Sequence, residues 1–77
     1  MKLPFVSSDK VLKLLSKKGF AIVRQRGSHI SLHKKENNTT SLVVVPRRKE
    51  IKKGTLLSIL RQAKISKDDF MREINEI

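Results

Sequence analysis

From Ser8 onward apolar and basic positions repeat with a helical period: Val11, Leu12 and Leu15 fall on one face while Lys10, Lys13 and Lys17 point elsewhere. Ser7 or Ser8 is placed to cap this helix, and Gly19 to end it. At Phe20 the texture changes to β-branched and apolar residues that run to Arg26. Gly27-Ser28 supplies a turn, and a second alternating run follows from His29 to Lys34, so the pattern predicts a β-hairpin. The polar stretch Lys35 to Thr40 reads as a solvated loop. Ser41 to Val45, bounded by Pro46, reads as a third strand, and its unbroken apolarity suggests the central one. After a basic connector from Arg47 to Gly54, Leu56, Ile59, Leu60 and Ala63 recur in helical register. Ser66 followed three residues later by Asp69 has the shape of a capping box leading into a short last helix with Phe70, Met71, Ile74 and Ile77.

The predicted order is therefore αβββαα: an α+β fold in which a three-stranded antiparallel sheet has its helices on one face and the other face open. Alternation along the second strand places His29, Ser31 and His33 on one side and Ile30 and Leu32 on the other. The aliphatic pair belongs under the helices, which leaves the two histidines and the serine facing outward. For the first strand the pattern is ambiguous, since either Phe20 with Ile22 or Ala21 with Val23 could face the core.

Length and charge narrow the function. Seventy-seven residues leave room for a single domain spanning 1–77 and exclude a doubly wound nucleotide-binding fold or a propeller. Eighteen Lys plus Arg against seven Asp plus Glu give a net charge of +11, and up to Lys67 there are 17 basic and only 3 acidic side chains. Charge of that density on a small body seeks a polyanion. With no cysteine, disulfide and zinc-finger scaffolds are excluded. The N-terminus lacks a secretory apolar stretch, and the longest apolar run, Leu42 to Val45, is far too short to span a bilayer. The expectation is a cytoplasmic protein with no membrane partner, since the apolar face of the basic first helix is needed for the core.

Among catalytic chemistries, two histidines and scattered carboxylates give no metal-ligand cluster, and no Gly-x-Ser-x-Gly elbow is present, so neither a metal nor another cofactor is expected. What remains is chemistry that one imidazole can drive. RNA offers it, because its 2′-hydroxyl is a nucleophile already beside the phosphodiester, so a general base and cationic stabilisation suffice. His29, at the start of a strand just after the Gly27-Ser28 turn, is the candidate base. A two-residue hairpin loop puts either Arg24 or Arg26 directly opposite it, where the guanidinium could grip the phosphate; a three-residue loop would oppose Gln25. His33 stands four strand residues away, about 13 Å, too far to flank the same phosphate. Arg47, Arg48, Lys49, Lys52 and Lys53 form the densest basic cluster and are expected to track a phosphate backbone. Phe5, Phe20 and Phe70 read as core residues, so base-stacking platforms are not expected.

Several blocks resemble one family. Gly19-Phe20, then Arg24-Gln25-Arg26-Gly27-Ser28-His29, then Val45-Pro46, and finally Lys53 to Ala63 (Lys-Gly-Thr-Leu-Leu-Ser-Ile-Leu-Arg-Gln-Ala) are similar to the HicA toxins, which are mRNA interferases. The match runs in order from about Leu12 to Phe70. The resemblance implies a double-stranded-RNA-binding-like fold, metal-independent cleavage of mRNA, and neutralisation by a HicB-type antitoxin. It places the catalytic histidine on His29, with Gly27 and Ser28 as motif neighbours. Two positions depart from the pattern: Arg47-Arg48-Lys49 stand where many relatives carry a histidine, and Lys64 where many carry a glycine. The competing reading is a non-catalytic RNA-binding module of the same fold.

Overall fold

The computed structural model describes residues 3–77 and has the order αβββαα, as the sequence pattern predicts. Helix α1 spans Ser8–Lys17 and is capped by Ser7, whose hydroxyl accepts a hydrogen bond from the Lys10 N–H at 3.2 Å. Its core face is Val11, Leu14 and Leu15; Leu12 sits at the margin, partly buried. Gly19, at φ +99°, ends the helix and lets the Phe20 N–H reach back to the Leu15 carbonyl at 3.0 Å.

The sheet is made of β1 (Ala21–Arg26), β2 (His29–Glu36) and β3 (Thr39–Pro46), paired antiparallel in the order β1-β2-β3. The central strand is thus β2, and β3 lies at an edge, contrary to the expectation drawn from its apolar run. The run alternates in burial: Val43 and Val45 are fully buried, while Leu42 is 58% exposed and Val44 is exposed enough to face solvent. Helices cover one side of the sheet only, so half of an apolar run gains nothing from them, whatever its composition. The edge is partly closed by α2 (Lys53–Ala63), where the Gln62 amide oxygen accepts from the Val44 N–H at 3.2 Å.

The polar stretch from Lys35 to Thr40 is a tight hairpin, not a loop. Strands run up to Glu36 and resume at Thr39, and both turn residues, Asn37 and Asn38, have positive φ (49° and 67°). Asparagine is the non-glycine residue best suited to that backbone. In β1 neither proposed register holds. The pairing slips between Ile22 and Arg24, so Val23 is an extra residue, and all six strand residues are exposed. Phe20, just before the strand, supplies the buried ring, while Ile22 remains 56% exposed.

Because α2 begins at Lys53, Lys53 and Gly54 belong to its first turn and not to the connector. The helix buries Leu56, Ile59, Leu60 and Ala63. Helix α3, Lys67–Ile74, is capped by Ser66, whose hydroxyl accepts from the Asp69 N–H at 3.1 Å, and buries Phe70 and Ile74. An ion pair of 2.6 Å joins Glu73 of α3 to Lys18 at the end of α1. The core is one cluster drawn from all three helices together with Ile30, Leu32, Val43 and Val45 of the sheet.

Between α2 and α3, Lys64 holds the left-handed conformation (φ 58°, ψ 39°). An L side chain there costs about 1–2 kcal/mol, which glycine avoids at the expense of about 0.5–1 kcal/mol of extra unfolded-state freedom. Since Lys64 is exposed, Lys64→Gly is expected to raise the melting temperature by about 3–6 °C for a chain of this size, read by circular dichroism. An unchanged or lower midpoint would show that the lysine makes a compensating contact.

Candidate active site

The site is built on the β1–β2 hairpin. Gly27 adopts φ +59°, and a side chain added there would meet nothing within 4 Å, so the position asks for glycine through its backbone angle and not through lack of space. The loop is the two-residue Gly27-Ser28, which sets Arg26 directly opposite His29 and Arg24 opposite Ser31. Of the three registers the sequence leaves open, this one puts a guanidinium on the strand next to the imidazole, with paired Cβ atoms about 5 Å apart. His29 is exposed, yet its backbone is held between two strands.

On its other side His29 pairs with Pro46. One step further the Arg47 N–H donates to the Ser28 carbonyl at 2.6 Å, extending the ladder past the strand ends and fixing Arg47 beside the turn. Arg48 is held harder still. The Ser8 N–H donates to the Arg48 carbonyl at 3.0 Å, the Ser8 hydroxyl meets the same carbonyl at 3.1 Å, and the Arg48 N–H donates to Ser8 Oγ at 3.1 Å. Ser8 is 3% exposed, the one buried polar side chain among the described residues, and sequence reasoning sees in it only a possible cap. Its signal is visible only once residues 40 apart are brought together. Further on, the Ile51 N–H donates to the Val6 carbonyl at 2.8 Å, so the connector is laced to the segment preceding α1.

The expected cations therefore fall into three groups. Arg24 and Arg26 share the open sheet face with His29; Arg47 and Arg48 are pinned by their backbones at the end of the sheet that carries His29; Lys52 and Lys53 stand at the N-terminus of α2. Exposed Lys49 joins Arg47, Arg48, Ser7, Ser8 and Asp9 around a shallow cavity of about 370 Å³, where Arg47 lies 4.0 Å from the Asp9 carboxylate. At that distance, with both side chains largely exposed, the pair restrains the arginine little.

His33 pairs with Ala21 on one side and Leu42 on the other. It shares the face with His29 but has apolar neighbours, and β2 pairs with β3 without a break over that span, which preserves the separation of about 13 Å. Among the described residues no group of three or more His, Asp or Glu is gathered in a way that could hold a metal ion. No helix among them is long and apolar enough to cross a membrane.

The site is thus an exposed histidine just after a two-residue Gly-Ser turn, with Arg26 across the ladder and Arg47 bonded through its backbone to Ser28. The family model described as the HicA toxin of bacterial toxin-antitoxin systems matches residues 8–65. The chain belongs to the HicA toxin family. The matched span takes in Gly27-Ser28-His29, the connector and all of α2, while Phe5 and α3 lie outside it. Membership in a toxin-antitoxin family implies an antitoxin as partner. A search of curated proteins finds no match.

Proposed function

We propose that this HicA protein is the toxin of a type II system and a metal-independent endoribonuclease that cuts mRNA and so stops translation. The observation that carries the reading is the placement of exposed His29 with Arg26 directly across the ladder and Arg47 hydrogen-bonded through its backbone to Ser28. His29, as general base, takes the proton of a ribose 2′-hydroxyl. The 2′-oxygen then bonds to the adjacent phosphorus, and the 5′-oxygen of the next nucleotide leaves, protonated by water. Arg26, Arg24 and Arg47 supply positive charge where the phosphorane gathers negative charge. Arg48, Lys49, Lys52 and Lys53 contact the backbone on either side and set position, not sequence.

The partner is a HicB-type antitoxin that covers His29 with acidic groups, a fit that the excess of positive charge up to Lys67 favours. Cleavage takes place in the cytoplasm, where message and antitoxin are both present.

Incubation of the purified protein with an end-labelled transcript in the presence of chelator is expected to yield fragments ending in 2′,3′-cyclic phosphate. A transcript that is bound but left intact would replace the nuclease with an RNA-binding module of the same fold.

A further inference from the structure

Phe5 does not join the core. Phe20 and Phe70 are buried, whereas the Phe5 ring is 77% exposed, the most exposed large apolar side chain among the described residues. The segment that carries it is anchored next door, because the Val6 carbonyl accepts the Ile51 N–H. Leu3, Pro4, Phe5, Ile51 and Lys53 surround a cavity of about 280 Å³. Ile51 is fully buried beneath it, Lys53 brings the only charge among the five, and that charge is positive. An exposed aromatic ring on a cavity that a lysine also lines matches what an unpaired nucleobase and its phosphate require: a flat π-face and a cation.

Position strengthens the match. Pro46, the partner of His29, and Ile51, beneath the cavity, are five residues apart, so their Cα atoms stand no more than about 18 Å from one another. The intervening chain is Arg47-Arg48-Lys49-Glu50, whose first two members are pinned as described above. A strand lying across His29 and running toward Phe5 would pass Arg47, Arg48 and Lys49 before the single acid of the stretch, Glu50.

We infer that Phe5 is a stacking platform for an unpaired base of the single-stranded RNA flanking the cleaved phosphate, with Lys53 holding that nucleotide's phosphate. The inference rests on the endoribonuclease reading for its ligand, but Phe5 precedes the residues that match the HicA family, and nothing in that match assigns it a role. A stacked base adds affinity with little sequence preference, since every base offers a π-face.

The chain contains no Trp and no Tyr, so Phe5→Trp introduces a single fluorophore at the site. The experiment is a titration with a single-stranded RNA oligonucleotide at several salt concentrations, all proteins carrying His29→Ala to prevent cleavage. Indole emission of the Phe5→Trp protein is expected to be quenched as the RNA binds. Phe5→Ala is expected to weaken binding about tenfold with the salt slope unchanged, because stacking releases no counterions, whereas Lys53→Ala is expected to flatten the slope by about 0.7. The exposure of both side chains keeps folding out of the comparison, which matched melting temperatures would verify. If the His29→Ala parent fails to bind RNA at low salt, the nuclease reading falls and this one with it. If the parent binds but Phe5→Ala binds equally well and the indole is not quenched, only the stacking site is overturned. Loss of antitoxin binding in Phe5→Ala with RNA affinity intact would likewise overturn it, in favour of a protein contact.

Discussion

His29→Ala is expected to lower the rate of transcript cleavage by about 10²–10⁴-fold, the range a positioned general base contributes, while RNA affinity stays within a few-fold. The two effects separate because the imidazole and the cations do different work. On the proposed reading, affinity comes from phosphate contacts made by Arg24, Arg26 and the connector residues, none of which depends on the His29 side chain for its place. Arg26 is set by the β1–β2 ladder, Arg47 by the Ser28 carbonyl and Arg48 by Ser8. Stability should not move either, since the His29 side chain is exposed and the Gly27-Ser28 turn is defined by backbone angles. Single-turnover cleavage and fluorescence anisotropy measured on the same preparations give both numbers. A His29→Ala protein that cuts as fast as wild type would remove the assignment of the base, even if Arg26→Ala were impaired.

The elements that can be read from the chain are those whose signals are local. The α1 caps, the Gly27-Ser28 turn, the helical period of Leu56, Ile59 and Leu60, and the Ser66 cap each occupy a window of a few residues, and each recurs in the structure. The departures share another cause. Leu42 to Val45 suggests a central strand only if apolarity is equated with burial on both faces. Which strand is central depends instead on hairpin order, and two short turns in succession place β2 in the middle. The second of those turns is hard to see because Asn37-Asn38 lies inside a polar run that looks like a loop, although asparagine tolerates the positive φ a two-residue hairpin needs. In β1 the alternation cannot be resolved because it does not exist, Val23 being a bulge. Phe5 reads as core by residue type alone, and nothing local corrects that reading.

The candidate site is legible for a similar reason and to a similar extent. His29 and Arg26 lie on one hairpin, so sequence distance and spatial distance agree. Ser8, which fixes Arg48 across 40 residues, belongs to a contact that no window could show. The charge pattern, by contrast, becomes clearer in three dimensions. Four of the seven acids, Asp68, Asp69, Glu73 and Glu76, belong to α3 or its C-terminal end. Asp68 and Asp69 in the first turn complement the helix dipole, and Glu73 pairs with Lys18. Those acids serve the helix layer, so they are kept away from the arginines on the open sheet face, whose field is left to attract a polyanion.

Phe70→Ala is expected to be the most damaging single substitution for stability. The ring is the largest of the fully buried side chains, and it holds α3 against the rest of the molecule together with Ile74. Truncating a buried phenylalanine costs about 3–5 kcal/mol, the lost transfer energy plus the cavity left behind. A chain of this length has roughly 4–11 kcal/mol to lose, at about 0.05–0.15 kcal/mol per residue. The variant is therefore expected to be partly unfolded at 37 °C, with a urea midpoint far below that of wild type. Phe70→Leu, which keeps most of the volume, should fall in between and remain folded enough to assay. RNA cleavage in Phe70→Leu is expected to follow the folded fraction alone, because α3 contributes nothing to the open face where His29, Arg24 and Arg26 stand. If Phe70→Ala lost less than about 1 kcal/mol, α3 would be a loosely attached appendage and its ion pair with Lys18 incidental. If Phe70→Leu were fully folded but inactive, the helix layer would have to act on the hairpin directly, through α1 and the Ser8 contacts that hold Arg48.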